Sequence, residues 1–130
     1  MQTQAEQKLD LSQFWGSLSF HKFGLTKNVS SEGVTYFAEE MGAFWFLDSI
    51  SACLRGMELD GKAVDFAVIK IKPLGEYSAE IIIEDGDYAV IFTHKVEFTD
   101  LDFDRLPEDF QIWAERNELG SFTLYLPRER

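Results

Sequence analysis

From Gly33 to Met57 the chain carries neither a proline nor a turn dipeptide, while Val34, Phe37, Met41, Phe44, Trp45, Phe46, Leu47, Ile50 and Leu54 recur through it. The spacing predicts one long central helix. Ser30 or Ser31 can cap its first turn, Glu32 places a carboxylate near the positive end of the helix dipole, and Arg55 with Gly56 supplies a cation and a stop at the other end. At about 100° per residue, Val34, Phe37, Met41, Trp45, Asp48 and Ala52 fall in one arc, and Phe44, Leu47 and Leu54 widen the apolar surface on one flank. Burying each large side chain contributes roughly 1.5–3 kcal/mol, so this stripe decides what the remaining chain must cover. Gly42, inside the run, is the candidate position for a kink or for close approach of another backbone.

After Asp60-Gly61 the apolar period changes from that of a helix to two. Val64, Phe66 and Val68 alternate with Ala67, Ile69 and Ile71 in a strand that ends at Pro73. Tyr77 to Glu84 reads as a second strand, Asp85-Gly86 as a hairpin turn, and Tyr88 to Phe98 as the returning antiparallel strand. Pro107 opens a short second helix running through Phe110, Ile112 and Trp113 to about Arg116, and Phe122 to Leu126 is a last strand. Upstream, Asp10 to Trp15 reads as a helical turn that places Leu11, Phe14 and Trp15 on the core, and Leu18, Phe20 and Leu25 give a weak strand signal. The expectation is an α+β fold: one long central helix packed on an antiparallel sheet of about four strands, with a short second helix before the last strand. A chain of 130 residues suits a single domain, with residues 1–8 a frayed end and residues 102–120 an acidic insertion.

The formal net charge of −11 is concentrated. Residues 76–118 hold thirteen carboxylates against Lys95, Arg105 and Arg116, a balance of −10. That sign excludes a phosphate backbone as a direct ligand, so no nucleic acid is expected to bind; a basic protein partner is allowed. The plainer reading is a solvated surface that maintains solubility. Cys53 is the single cysteine and excludes an internal disulfide, no apolar run reaches membrane-spanning length, and the first residues are polar. These features predict a cytoplasmic protein with no membrane association.

Asp48 stands out because the helical arc places it among apolar residues, where a carboxylate needs a hydrogen-bonding partner. It reads either as a structural anchor or as a functional acid. His94 shares the presumed core face of its strand with Phe92 and Val96, and the two would form an acid–base couple if the fold brought them together. His21, Cys53 and His94 lack the close spacing of a zinc site, and no metal or other cofactor is expected. Asp100, Asp102 and Asp104 superficially match a calcium loop, but Arg105 stands where glycine is needed and Gln111 where the bidentate glutamate is needed. With Glu108, Asp109 and Trp113 they make a candidate interaction surface. Cys53 reads as an apolar filler.

The run from Glu32 to Ile50, EGVTYFAEEMGAFWFLDSI, together with Phe14-Trp15-Gly16-Ser17, Phe98-Thr99-Asp100 and Leu124-Tyr125-Leu126, resembles an uncharacterised family of small bacterial, phage and plasmid-borne proteins. The resemblance implies a source among bacteria or mobile elements and no particular activity. Residues 102–120 read as an addition to that family's pattern. The leading functional expectation is a non-enzymatic interaction module whose acidic surface meets a basic protein, by association with small acidic inhibitors that imitate nucleic-acid charge. The alternatives are a ligand-binding or enzymatic pocket around Asp48 and His94, and a homodimer built on a sheet edge or on Trp113.

Overall fold

The computed structural model describes residues 8–14, 20–23 and 27–130. Trp15, Gly16, Leu18 and Leu25, and all but the last residue of the expected frayed end, lie outside the described residues. Lys8 lies inside them, and its Nζ donates to the Leu106 carbonyl at 2.9 Å.

Instead of one central helix there are two, α1 (Glu32–Met41) and α2 (Phe44–Leu59). Gly42 takes left-handed backbone angles (φ 60°, ψ 38°), and the Ala43 N–H returns to the Ala38 carbonyl at 2.8 Å, the usual glycine stop of a helix. The break resets the helical phase. In α1 the buried positions are Gly33, Val34, Phe37 and Ala38, while in α2 they are Phe46, Leu47, Ile50, Ser51, Cys53, Leu54 and Met57. Phe44, Asp48, Ala52, Arg55 and Leu59, spaced by three or four, form the exposed face of α2. Asp48 is therefore in solvent, because the arc drawn through an unbroken helix does not survive Gly42. Phe37 and Phe46 meet edge-to-face across the break, with ring centroids 6.1 Å apart.

The helices cover one face of a mixed seven-stranded sheet, where an antiparallel sheet of about four strands was expected. Its strands are β1 (Phe20–Lys22), β2 (Val29–Ser31), β3 (Phe66–Pro73), β4 (Ala79–Glu84), β5 (Val90–Val96), β6 (Ile112–Arg116) and β7 (Phe122–Tyr125). Their spatial order is β1-β2-β7-β6-β3-β4-β5, with β2 and β7 parallel and every other pair antiparallel. Strands β1 and β2 are three residues each, too short to leave a periodic signal. Strand β6 replaces the expected second helix. Pro107 opens only a turn, with Phe110 N–H on the Pro107 carbonyl at 3.1 Å. Beyond it Ile112 and Ala114 point into the core, and Trp113 and Glu115 point the other way. Within residues 102–120, Phe103–Arg105 is a 3-10 turn and Ile112–Arg116 is strand β6, which lies between β7 and β3.

Two polar clusters tie the termini of these elements together. Ser31 ends β2 and caps α1, accepting from Val34 N–H at 3.2 Å. The buried Glu129 carboxylate accepts from the Ser31 hydroxyl, from Gly33 N–H (3.0 Å) and from Leu126 N–H (2.8 Å). A negative group at a helix N-terminus gains from the dipole as well as from these bonds. At the β6–β7 turn Arg116 donates to Glu58 (2.7 Å), Asp65 (3.1 Å) and the carbonyls of Val64 (2.9 Å) and Gly120 (2.8 Å), clamping the end of α2 to that turn. The Arg116 hydrogen bond holds the Glu58 carboxyl below its ordinary pKa.

The Glu129 cluster needs a glycine beside it. A Cβ at position 33 would stand 2.6 Å from Leu126 Cδ1 and 2.8 Å from Glu129 Oε1. Gly33→Ala is expected to lower stability by about 1–3 kcal/mol in urea unfolding, through overpacking of this buried contact; an unchanged midpoint would show that the cluster yields freely.

Candidate functional site

With α1 and α2 both on one side, neither covers the other face of the sheet. Alternation puts Phe66, Val68 and Lys70 of β3, Glu84 of β4, Trp113 and Glu115 of β6, and Tyr125 of β7 on that face, opposite the buried Ala67, Ile69, Ile83, Ile112, Ala114 and Leu124. A groove of about 950 Å³ runs across it, walled by Phe66, Trp113 and Tyr88 and floored by Val68. Trp113 packs edge-to-face against Phe66 (5.5 Å between centroids) and against Tyr125 (6.1 Å). Register explains the ladder, since Trp113 pairs directly with Tyr125 on β7 and with Val68 on β3, one step diagonal from Phe66.

The charged groups of the groove largely satisfy one another. Lys70 Nζ lies 3.1 Å from Glu84 Oε1, without the alignment of a hydrogen bond, although Glu84 is only 9 % exposed. Arg130 lies over the Phe66 and Trp113 rings and 3.7 Å from Glu115. The Tyr125 hydroxyl donates to Glu115 at 2.8 Å. Burial first, and then that bond to a carboxylate, push the Tyr125 phenol well above its usual pKa, so it remains a donor. No histidine or cysteine lines the groove among the described residues.

Tyr88 forms the mouth. It is the one non-glycine residue with positive φ (68°) among the described residues, and its side chain projects into solvent at 85 % exposure. The Asp85 carboxylate imposes the turn by accepting from Asp87 N–H (2.8 Å) and Ala89 N–H (3.0 Å). A hairpin turn at Asp85-Gly86 favours positive φ, but Gly86 does not carry it, and β5 starts at Val90 rather than Tyr88.

Asp48 and His94 are not brought together in any cleft. Asp48 is exposed on α2, and His94 is exposed on β5. The alternation for His94 holds, since it pairs with the buried Ile81, but β5 is the edge strand and nothing seals the site. Neither residue lines the groove or the three smaller clefts described. The five carboxylates Asp100, Asp102, Asp104, Glu108 and Asp109 are exposed on the connection between β5 and β6. They surround Leu101 and Leu106, which are buried, and Asp102 accepts from Asp104 N–H at 3.2 Å. Trp113 lies on the open sheet face, and Gln111 lines both the groove and a smaller cleft that includes Asp109. Thus Asp109 comes next to the groove through Gln111, and none of the five carboxylates lines it. No three His, Cys, Asp or Glu side chains among the described residues are grouped to hold a metal ion, and no helix among them is long and apolar enough to cross a membrane.

Two measurements check this geometry. Tyr88→Gly relieves a left-handed conformation and is expected to raise stability by about 0.5–1 kcal/mol in urea unfolding; a loss would mean that the tyrosine ring contributes more than the strain removes. Burial pushes the Cys53 thiol up to about 11, so iodoacetamide at about pH 8 is expected to label the native protein far more slowly than the unfolded chain, and equal rates would place Cys53 at the surface.

Comparison with curated proteins and with solved structures gave no match. A family described as of unknown function, DUF6876, matches residues 5–130, a span that includes both the aromatic run of the helices and residues 102–120. The match covers nearly the whole chain, and the protein therefore belongs to the DUF6876 family.

Proposed function

We propose that this protein is a non-enzymatic interaction module that binds a basic protein through the acidic segment Asp100–Asp109 and the neighbouring open face of the sheet. The observation that carries the reading is a concentration of carboxylates without an ion pair. Glu58, Asp65, Glu80, Glu84, Glu97 and Glu115 each have a cation within 4 Å. Asp100, Asp102, Asp104, Glu108 and Asp109 have no ion pair among the described residues; Glu39, Glu40, Asp48, Asp60, Asp85 and Asp87 have none either, but the first five share ten positions with a single cation, Arg105. Like charges held this close repel, and a cationic surface relieves that repulsion. Partners of this sign include basic proteins whose own ligand is a nucleic acid, for which the carboxylates would stand in for phosphates.

The test is binding of a lysine- and arginine-rich peptide, read by fluorescence anisotropy at low and high salt. Exchanging Asp100, Asp102 and Asp104 for asparagine is expected to weaken binding by roughly 0.5–3 kcal/mol in total, since each exposed pair contributes about 0.2–1 kcal/mol, and to flatten the salt dependence. Absent binding, or binding indifferent to salt, would overturn the reading.

A further inference from the structure

The aromatic ladder already holds a cation. Arg130 places its guanidinium carbon 5.4 Å from the centroid of Phe66 and 5.7 Å from that of Trp113. Its hold is loose: the contact to Glu115 is 3.7 Å, longer than a hydrogen bond, and the side chain is 59 % exposed. The surroundings, by contrast, are fixed. The Trp113 indole N–H is committed to Gln111 Oε1 at 2.7 Å, and Glu115 is steadied by the Tyr125 hydroxyl. A second observation points the same way, because Glu84 in the same groove keeps a buried oxygen that Lys70 approaches without making an aligned hydrogen bond. Aromatic rings beside a carboxylate are the surroundings that a planar, weakly hydrated guanidinium prefers over a compact ammonium.

We infer that Phe66, Trp113 and Glu115 form a seat for an arginine side chain of a protein partner, and that Arg130 is its internal occupant, displaced when the partner binds. The inference rests on the reading of a basic partner and names the subsite and the competitor. Displacing a loosely held side chain in exchange for a better-placed one adds selectivity for arginine, while the flanking carboxylates supply attraction that lysine shares.

The experiment titrates the full chain with a short arginine–serine peptide and with its lysine–serine counterpart at low salt. Arg130→Ala removes the competitor and is expected to tighten binding of the arginine peptide about two- to five-fold, with little change for the lysine peptide. Glu115→Gln preserves shape and should weaken the arginine peptide about three-fold or more; Trp113→Ala should do the same, with circular dichroism checking that it folds. If Arg130→Ala leaves arginine binding unchanged or weaker while both peptides still bind in a salt-dependent manner, the seat is wrong and the acidic-surface reading stands. If neither peptide binds the wild type at low salt, both are overturned.

Discussion

The structure depends on the burial of an elbow of two helices against one face of a sheet. Phe37, Phe46, Leu47, Ile50 and Met57 are almost wholly withdrawn from solvent, and they meet Ile69, Ile81, Ile83, Ile112 and Leu124 from the strands. At roughly 1.5–3 kcal/mol per large side chain this contact outweighs any single polar cluster in the molecule. It is also one-sided. Alternate residues of the strands point to the face that the two helices leave open, and there Trp113, Phe66 and Arg130 meet.

Ends of elements then decide the details. Ser31, Gly33 and Glu129 join the start of α1 to the last turn of the chain, and Arg116 joins the end of α2 to the sheet. Both clusters link residues far apart in sequence, so each closes a long loop of chain. The parallel β2–β7 pair belongs to the same closure. Strand β7 inserts between β2 and β6, which brings the final residues beside the helix start and carries Arg130 over the open face.

Local pattern was a good guide where one element could be judged alone. The apolar run from Gly33, the strands around Ile69, Ile81 and Phe92, and the apolar setting of Cys53 were all legible. The helix pattern misled at Gly42, because a periodic arc assumes continuous phase and one left-handed residue discards it; Asp48 was placed inside on that assumption. The segment Ile112-Trp113-Ala114-Glu115 is too short for period two to be told from a helical turn, and a preceding proline favoured the helix. His94 followed its alternation correctly, yet the pattern does not report that β5 is an edge. The groove was hidden for a different reason. Its residues come from β3, β4, the β4–β5 turn, β6 and the final turn, and no spacing along the chain joins them; the visible hint was aromatic residues at alternate positions opposite an apolar face.

Hydroxyl-radical footprinting tests the one-sided architecture most directly, since aromatic and sulfur-bearing side chains report both faces in one experiment. The account predicts strong labelling of Tyr88, intermediate labelling of Trp113, and near-complete protection of Phe37, Phe46 and Met57. Strong labelling of Phe46 and Met57, or protection of Tyr88 and Trp113 to the level of Phe37, would contradict it.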